Sequence, residues 1–158
     1  NIYAIGDIQS KVMLAHVASS EGIVAAHNIA GENREMDYSA IPSILFSNPE
    51  VASTGLKLKD FDENTMIKFD FPLVANGRAR TIAERDGFTR IIADKISGKL
   101  LGMTIVGPSA TELIIEGVIA IRNGLTYHDL EKSIHPHPTL SESTLGALEG
   151  LDGMSIHI

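Results

Sequence analysis

The chain has 158 residues, 44% of them hydrophobic, a formal charge of −7 and a pI near 5.3. That is long enough for a domain with a real core, too apolar for disorder, and of the wrong sign for a nucleic-acid or anionic-membrane surface. Cysteine is absent, which excludes disulfide staples, thiolate zinc sites and a cysteine nucleophile within these residues, and no apolar run approaches the ~20 residues that span a bilayer.

In chain order, NIYAIGD opens directly in an apolar segment, and residues 2 to 6 predict a short buried strand ending at Gly6 and Asp7. Residues 13 to 29 predict a helix, with Gly31 suited to the position just past its end. The pair reads as a β-turn-α piece of a larger α/β unit, entered at a cut edge. Gly31 to Ile41 is polar and leads through Pro42 to a change of composition, so a boundary is placed at residue 41, dividing 1–41 from 42–158.

Beyond it come β-rich runs at 43–46, 51–55, 66–71, 88–94 and 100–106, separated by turn clusters such as Ser47-Asn48-Pro49 and Ser97-Gly98. The last two flank a DKISGK turn and predict an antiparallel hairpin. The period then becomes helical: Ala110, Leu113, Ile114, Gly117, Val118 and Ile121 share a stripe, with Ser109 in the capping position. Ile115, Ile119 and Ala120 fall off it, so this helix is either sandwiched in a core or shared with a second subunit. A shorter helix is expected after Thr126 and a last one after Thr139. The sum is an α+β domain, an antiparallel sheet with helices to one side.

The most informative stretch is HPHPTLSE, residues 135 to 142. Pro138 pushes His137 out of helical backbone, while Thr139 and Glu142 have capping-box spacing, so the His137 ring stands at the mouth of a helix. Imidazole, with an ordinary pKa near ~6.5, is matched to moving protons at neutral pH, and a carboxylate on its second nitrogen fixes the tautomer. The pair therefore reads as a base and its orienter. The plainer alternative is that Glu142 only caps the helix and His137 is a surface residue.

The remaining candidates are weaker. Asp7 follows a strand end and a glycine, where open α/β sheets place ligand loops, although a turn-stabilising aspartate is the simpler reading. Met13, Leu14, Ala15 and His16 open a helix whose N-terminus offers free N–H groups to an electron-rich atom. His135 and His137 have H-x-H spacing, but two prolines disturb the strand a metal site would need, and metal is not favoured. Arg78 and Arg80 in ANGRAR are taken as a solvated loop. No G-x-S-x-G, Walker-type or G-x-G-x-x-G run is present.

Together the segments YAIGD, MLAH, NPEVASTGL, ANGRA, ATELI and above all HPHPTLSE, in this order, resemble the C-terminal part of the dihydrolipoamide dehydrogenases, a branch of the flavin disulfide reductases. Glutathione-type reductases have a similar H-P-T-x-S-E, but the histidine doublet and Leu140 favour the lipoamide branch; mercuric reductases fit less well, since a C-terminal cysteine pair is missing. The resemblance implies that 42–158 is an interface domain and 1–41 the tail of an FAD-binding domain. It implies that Asp7 accepts a hydrogen bond from the FAD ribityl chain, and that Met13, Leu14, Ala15 and His16 lie along the flavin.

By the same resemblance His137 takes a proton from dihydrolipoamide, Glu142 holds the ring, and the dyad serves the other subunit of a homodimer. Electrons would pass through a cysteine pair and FAD to NAD+. It also implies a cis bond between His137 and Pro138, lipoyl domains of 2-oxoacid dehydrogenase or glycine cleavage complexes as partners, and a location in bacterial cytoplasm or the mitochondrial matrix. The redox cysteines, the FAD glycine motif and the NAD-binding domain lie outside these 158 residues, so the chain is expected to be a fragment, inactive alone and unable to hold FAD tightly. Thr54 stands where valine is usual. The competing expectation is a non-catalytic homodimerisation module related to these reductases.

Overall fold

The computed structural model describes residues 2–9, 12–156 and 158, and divides into two compact units, Asn1–Tyr38 and Ser39–Ile158.

In the first unit the strand expected at 2–6 does not form. Residues 2–5 have no regular structure and Gly6–Ile8 is a single 3₁₀ turn. A strand exists only through its ladder partners, and none is supplied among the described residues of this unit. Helix α1 spans Ala15–Ile29, starting two residues later than expected because Leu14 is extended (φ −134°, ψ 136°) and serves as its N-cap. Gly31, at φ +96°, lies just past its end as the sequence requires.

The second unit is built on five antiparallel strands: β1 (Ser43–Leu45), β2 (Val51–Gly55), β3 (Met66–Pro72), β4 (Phe88–Asp94) and β5 (Leu100–Val106), in spatial order β1-β2-β5-β4-β3. The β4–β5 turn closes because the Asp94 carboxylate accepts the N–H groups of Ile96 (3.1 Å) and Ser97 (2.7 Å), with Gly98 left-handed at φ +70°. Strand alternation sends Ala52, Thr54, Phe71, Thr89, Ile91, Ala93, Met103 and Ile105 into the buried core. On the opposite face Arg90 forms a two-point ion pair with Asp70 across the ladder and lies over the Phe88 ring, 4.9 Å from its centroid.

Helices cover the core face. ANGRAR, expected as a loop, is instead a short helix, α2 (Gly77–Thr81), because the Asn76 side chain caps it by accepting the Ala79 N–H at 2.9 Å. Its two arginines remain exposed. The helical stripe after Ser109 is divided at Ile114 into α3 (Ala110–Leu113) and α4 (Ile115–Arg122). Ser109 does not cap it, since its backbone is left-handed (φ 57°) and an N-cap needs extended backbone to aim the hydroxyl. The Glu50 carboxylate takes that role, accepting the Thr111 N–H at 3.1 Å and its hydroxyl at 2.9 Å.

The break rotates the phase: Ile114 and Ala120 are buried, while Ile115 and Ile119 stand 54% and 53% exposed. Helix α5 (Tyr127–Glu131) carries the full capping box of Thr126 and Asp129, and α6 (Glu142–Leu151) packs on β3 and β4. Gly146 and Gly150 let α6 lie flush on the sheet. A Cβ on Gly146 would fall 2.4 Å from Phe71 and one on Gly150 2.2 Å from Phe69.

Candidate active site

The segment from Ser133 to Ser141 joins α5 to α6 and carries both histidines of the H-x-H. The His137–Pro138 peptide is cis. His137 Nδ1 lies 2.9 Å from Glu142 Oε1, and the other carboxylate oxygen accepts the Thr139 N–H at 2.8 Å. Both oxygens of Glu142 are thus engaged from the first turn of α6, where the helix dipole also favours a negative charge. The capping box is half built: Glu142 reaches back to Thr139, but the Thr139 hydroxyl donates to the Pro136 carbonyl at 2.6 Å and does not cap. Helix α6 therefore begins at Glu142, later than the expected start after Thr139.

Exposure separates the two partners. The His137 side chain is 75% exposed and that of Glu142 19%. A carboxylate only accepts, so the contact requires the hydrogen on Nδ1 and leaves the Nε2 lone pair of a neutral ring as the open proton acceptor.

One contributor was not apparent from sequence. Asn76, 2% exposed, caps α2 with its side-chain oxygen and donates from Nδ2 to the Thr139 carbonyl at 3.0 Å. It ties the histidine loop to β3's following turn from 63 residues away. The only local signal was an asparagine ahead of G-R-A, a capping pattern.

His135 is placed apart from His137, against Glu116 of α4 at 3.0 Å. Since the two rings bind different carboxylates, the H-x-H does not gather ligands around one point. Among the described residues, the three-ligand grouping is instead His128, Glu131 and Asp152, with ligand atoms within 4.8 Å. Those atoms already serve each other: His128 Nδ1 is 3.1 Å from Glu131 and 3.6 Å from Asp152, and Tyr127 donates to Asp152 at 2.8 Å. Burial, followed by that bond, pushes the Tyr127 phenol up to about 12. The grouping tethers α5 to the end of α6.

In the first unit, Asp7 is exposed on the 3₁₀ turn. The turn is fastened by Glu21 of α1, 4% exposed, which accepts the Gly6 N–H at 2.6 Å, Gln9 Nε2 at 2.9 Å and the Tyr38 hydroxyl at 2.8 Å. Glu21 is a positioning residue that sequence reading missed, because nothing marks a buried carboxylate within a helix. Met13, Ala15 and His16 are exposed and Leu14, the N-cap residue, is half-buried at the start of α1.

Residues 41–148 match the family described as pyridine nucleotide-disulphide oxidoreductase, dimerisation domain. The chain is similar to the dihydrolipoyl dehydrogenase of Bacillus subtilis, 46% identical over 160 residues that cover 100% of this chain and 34% of that protein. It is 46% identical over 162 residues to that of Halobacterium salinarum, covering 99% and 34%. Among solved structures it resembles LpdA from Mycobacterium tuberculosis, with TM-score 0.89, 30% identity and coverage of 94% and 33%. The flavoprotein disulfide reductase RclA from Escherichia coli shares the fold at TM-score 0.87 and 22% identity, with coverage of 94% and 35%. The chain spans about a third of the length of the curated relatives it matches.

Proposed function

Because the chain belongs to the pyridine nucleotide-disulphide oxidoreductase family through its dimerisation domain, we propose that it forms the homodimer interface of a dihydrolipoamide dehydrogenase and gives the partner subunit its acid/base dyad. The observation that carries the reading is the 2.9 Å contact between His137 Nδ1 and Glu142, with the rest of the ring open to solvent. Dihydrolipoamide borne by lipoyl domains of 2-oxoacid dehydrogenase or glycine cleavage complexes is the substrate, in bacterial cytoplasm or the mitochondrial matrix.

Thiolate attacks a disulfide where thiol does not, so the dithiol must lose a proton for exchange to begin. His137 Nε2 accepts that proton, and the Glu142 carboxylate stabilises the resulting imidazolium and keeps the ring from turning. Thr139 N–H and Asn76, through the Thr139 carbonyl, hold the carboxylate and the loop in place. FAD, when bound, supplies the acceptor for the electron pair on its way to NAD+. Asp7 would hold its hydroxyl-bearing chain, and the first turn of α1, from Met13 to His16, would face its ring. The exposed apolar residues of this unit, Ile2, Ile8 and Ile29 among them, support its reading as the tail of an FAD-binding domain that packs against further structure.

The test is a chimera in which this chain replaces the corresponding third of the Bacillus subtilis enzyme. Dihydrolipoamide-dependent NAD+ reduction is expected, falling ~10² to 10⁴-fold with His137→Gln. An unchanged rate in that variant would remove His137 from the chemistry. The chain alone, without cysteine, is expected to give no turnover.

A further inference from the structure

His135 differs from His137 in every respect that governs proton binding. Its side chain is 7% exposed, and each ring nitrogen meets an oxygen. Nδ1 lies 3.0 Å from the Ser133 carbonyl and Nε2 3.0 Å from Glu116 Oε1. A carbonyl oxygen only accepts, so Nδ1 carries a hydrogen; a carboxylate only accepts, so Nε2 carries one as well. Neutral imidazole has a single N–H. The two contacts are satisfied together by imidazolium, an internal cation between backbone and carboxylate.

The place of this pair in the fold gives it a task. Glu116 stands on α4 beside Ile115, and both Ile115 and Ile119 expose more than half of their surface. Helix α4 is seated closely on the sheet, where a Cβ on Gly117 would fall 2.6 Å from Met103 Sδ. Its carboxylate therefore has little freedom to follow a moving loop. Two residues after His135 comes His137, and the carbonyl of Pro136 between them accepts the Thr139 hydroxyl, which closes the turn.

We propose that His135 is a positioning residue, held as a cation by Glu116 and the Ser133 carbonyl, that pins the base-carrying loop to the apolar helix α4 and leaves proton exchange to His137. The role deepens the dihydrolipoamide dehydrogenase reading and rests on it, since a loop needs fixing to α4 only if the dyad must reach across a dimer. Among the described residues, two carboxylates act on His135, and both favour the cation. Glu116 contributes from α4 and Glu142 from the first turn of α6, and the bond to Glu116 holds the pKa above the ordinary histidine value despite burial.

Nitrogen-15 NMR of the imidazole rings in the full chain tests this without turnover. In the unsubstituted protein, both His135 nitrogens are expected in the protonated range at pH 7, with a titration midpoint above ~6.5. Glu116→Gln keeps volume and one acceptor but removes the charge. It should lower the His135 midpoint by about one unit, a tenfold loss of proton affinity, and speed exchange of the His137 Nδ1 hydrogen at least severalfold. Glu116→Asp should restore part of both. One unprotonated His135 nitrogen at pH 7, or His137 exchange indifferent to Glu116→Gln, overturns the proposal. Failure of the parent reading would appear separately, as His137→Gln without effect in the chimera.

Discussion

Thr54 tests the packing logic of the sheet most directly. It lies on β2 opposite Met103, 2% exposed, and its hydroxyl has no hydrogen-bond partner among the described residues. A buried unpaired hydroxyl costs about 1–3 kcal/mol, and valine replaces it with a methyl of nearly the same shape. The methyl that threonine already has lies close to α4, since a Cβ on Gly117 would fall 3.2 Å from Thr54 Cγ2, and in so tight a setting the gain belongs at the lower end. Thr54→Val is expected to stabilise by about 1 kcal/mol, raising the thermal midpoint by ~4 °C in a unit of this size. Urea unfolding followed by circular dichroism should show the midpoint rise with an unchanged slope. Thr54→Ser, which keeps the hydroxyl and loses the methyl, should destabilise by about 1 kcal/mol. A destabilised valine variant beside an unharmed serine variant would show that the hydroxyl is used, and the reasoning would fail.

Gly146→Ala places a methyl against Phe71 and should cost about 1–3 kcal/mol despite alanine's better helix propensity, as differential scanning calorimetry would show. Ile119→Asp, on the exposed side of α4, should shift the light-scattering mass of the chain from dimer toward monomer at unchanged thermal stability; Ile114→Asp, in the core, should instead unfold it. Asn76→Ala removes a cap and the hold on the Thr139 carbonyl, for a loss of about 2 kcal/mol in urea titration and, in the chimera, a lower kcat. The raised pKa of His135 fixes a pH dependence. Its stabilisation is complete below the unfolded value near ~6.5 and disappears as pH rises through the folded value. Thermal midpoints should therefore decline over that window in the parent chain and stay nearly flat in Glu116→Gln.

Legibility followed sequence distance. Strands at 51–55, 88–94 and 100–106 coincide with their expected bounds, because alternation and turn chemistry are local. The His137–Glu142 contact was legible for the same reason, since five residues and a proline confine it. Asn76 and His135 were not, because their partners lie 63 and 19 residues away and only folding brings them together. The apolar start at residues 2–5 looked like a strand by composition, yet composition cannot supply the ladder a strand needs. Glu50 displaced Ser109 as a cap by arriving from another element, a substitution that no local pattern announces.

The ends of the sheet settle how copies of this domain avoid each other when they are not meant to meet. One outer strand, β1, is only three residues long, and the other, β3, carries Lys68 and finishes on Pro72, which has no N–H to offer. Short length, charge and proline each discourage strand addition by a neighbouring molecule. Such borders guard against fibre-like stacking in a crowded cell, and they hold whether or not the helical layer is occupied.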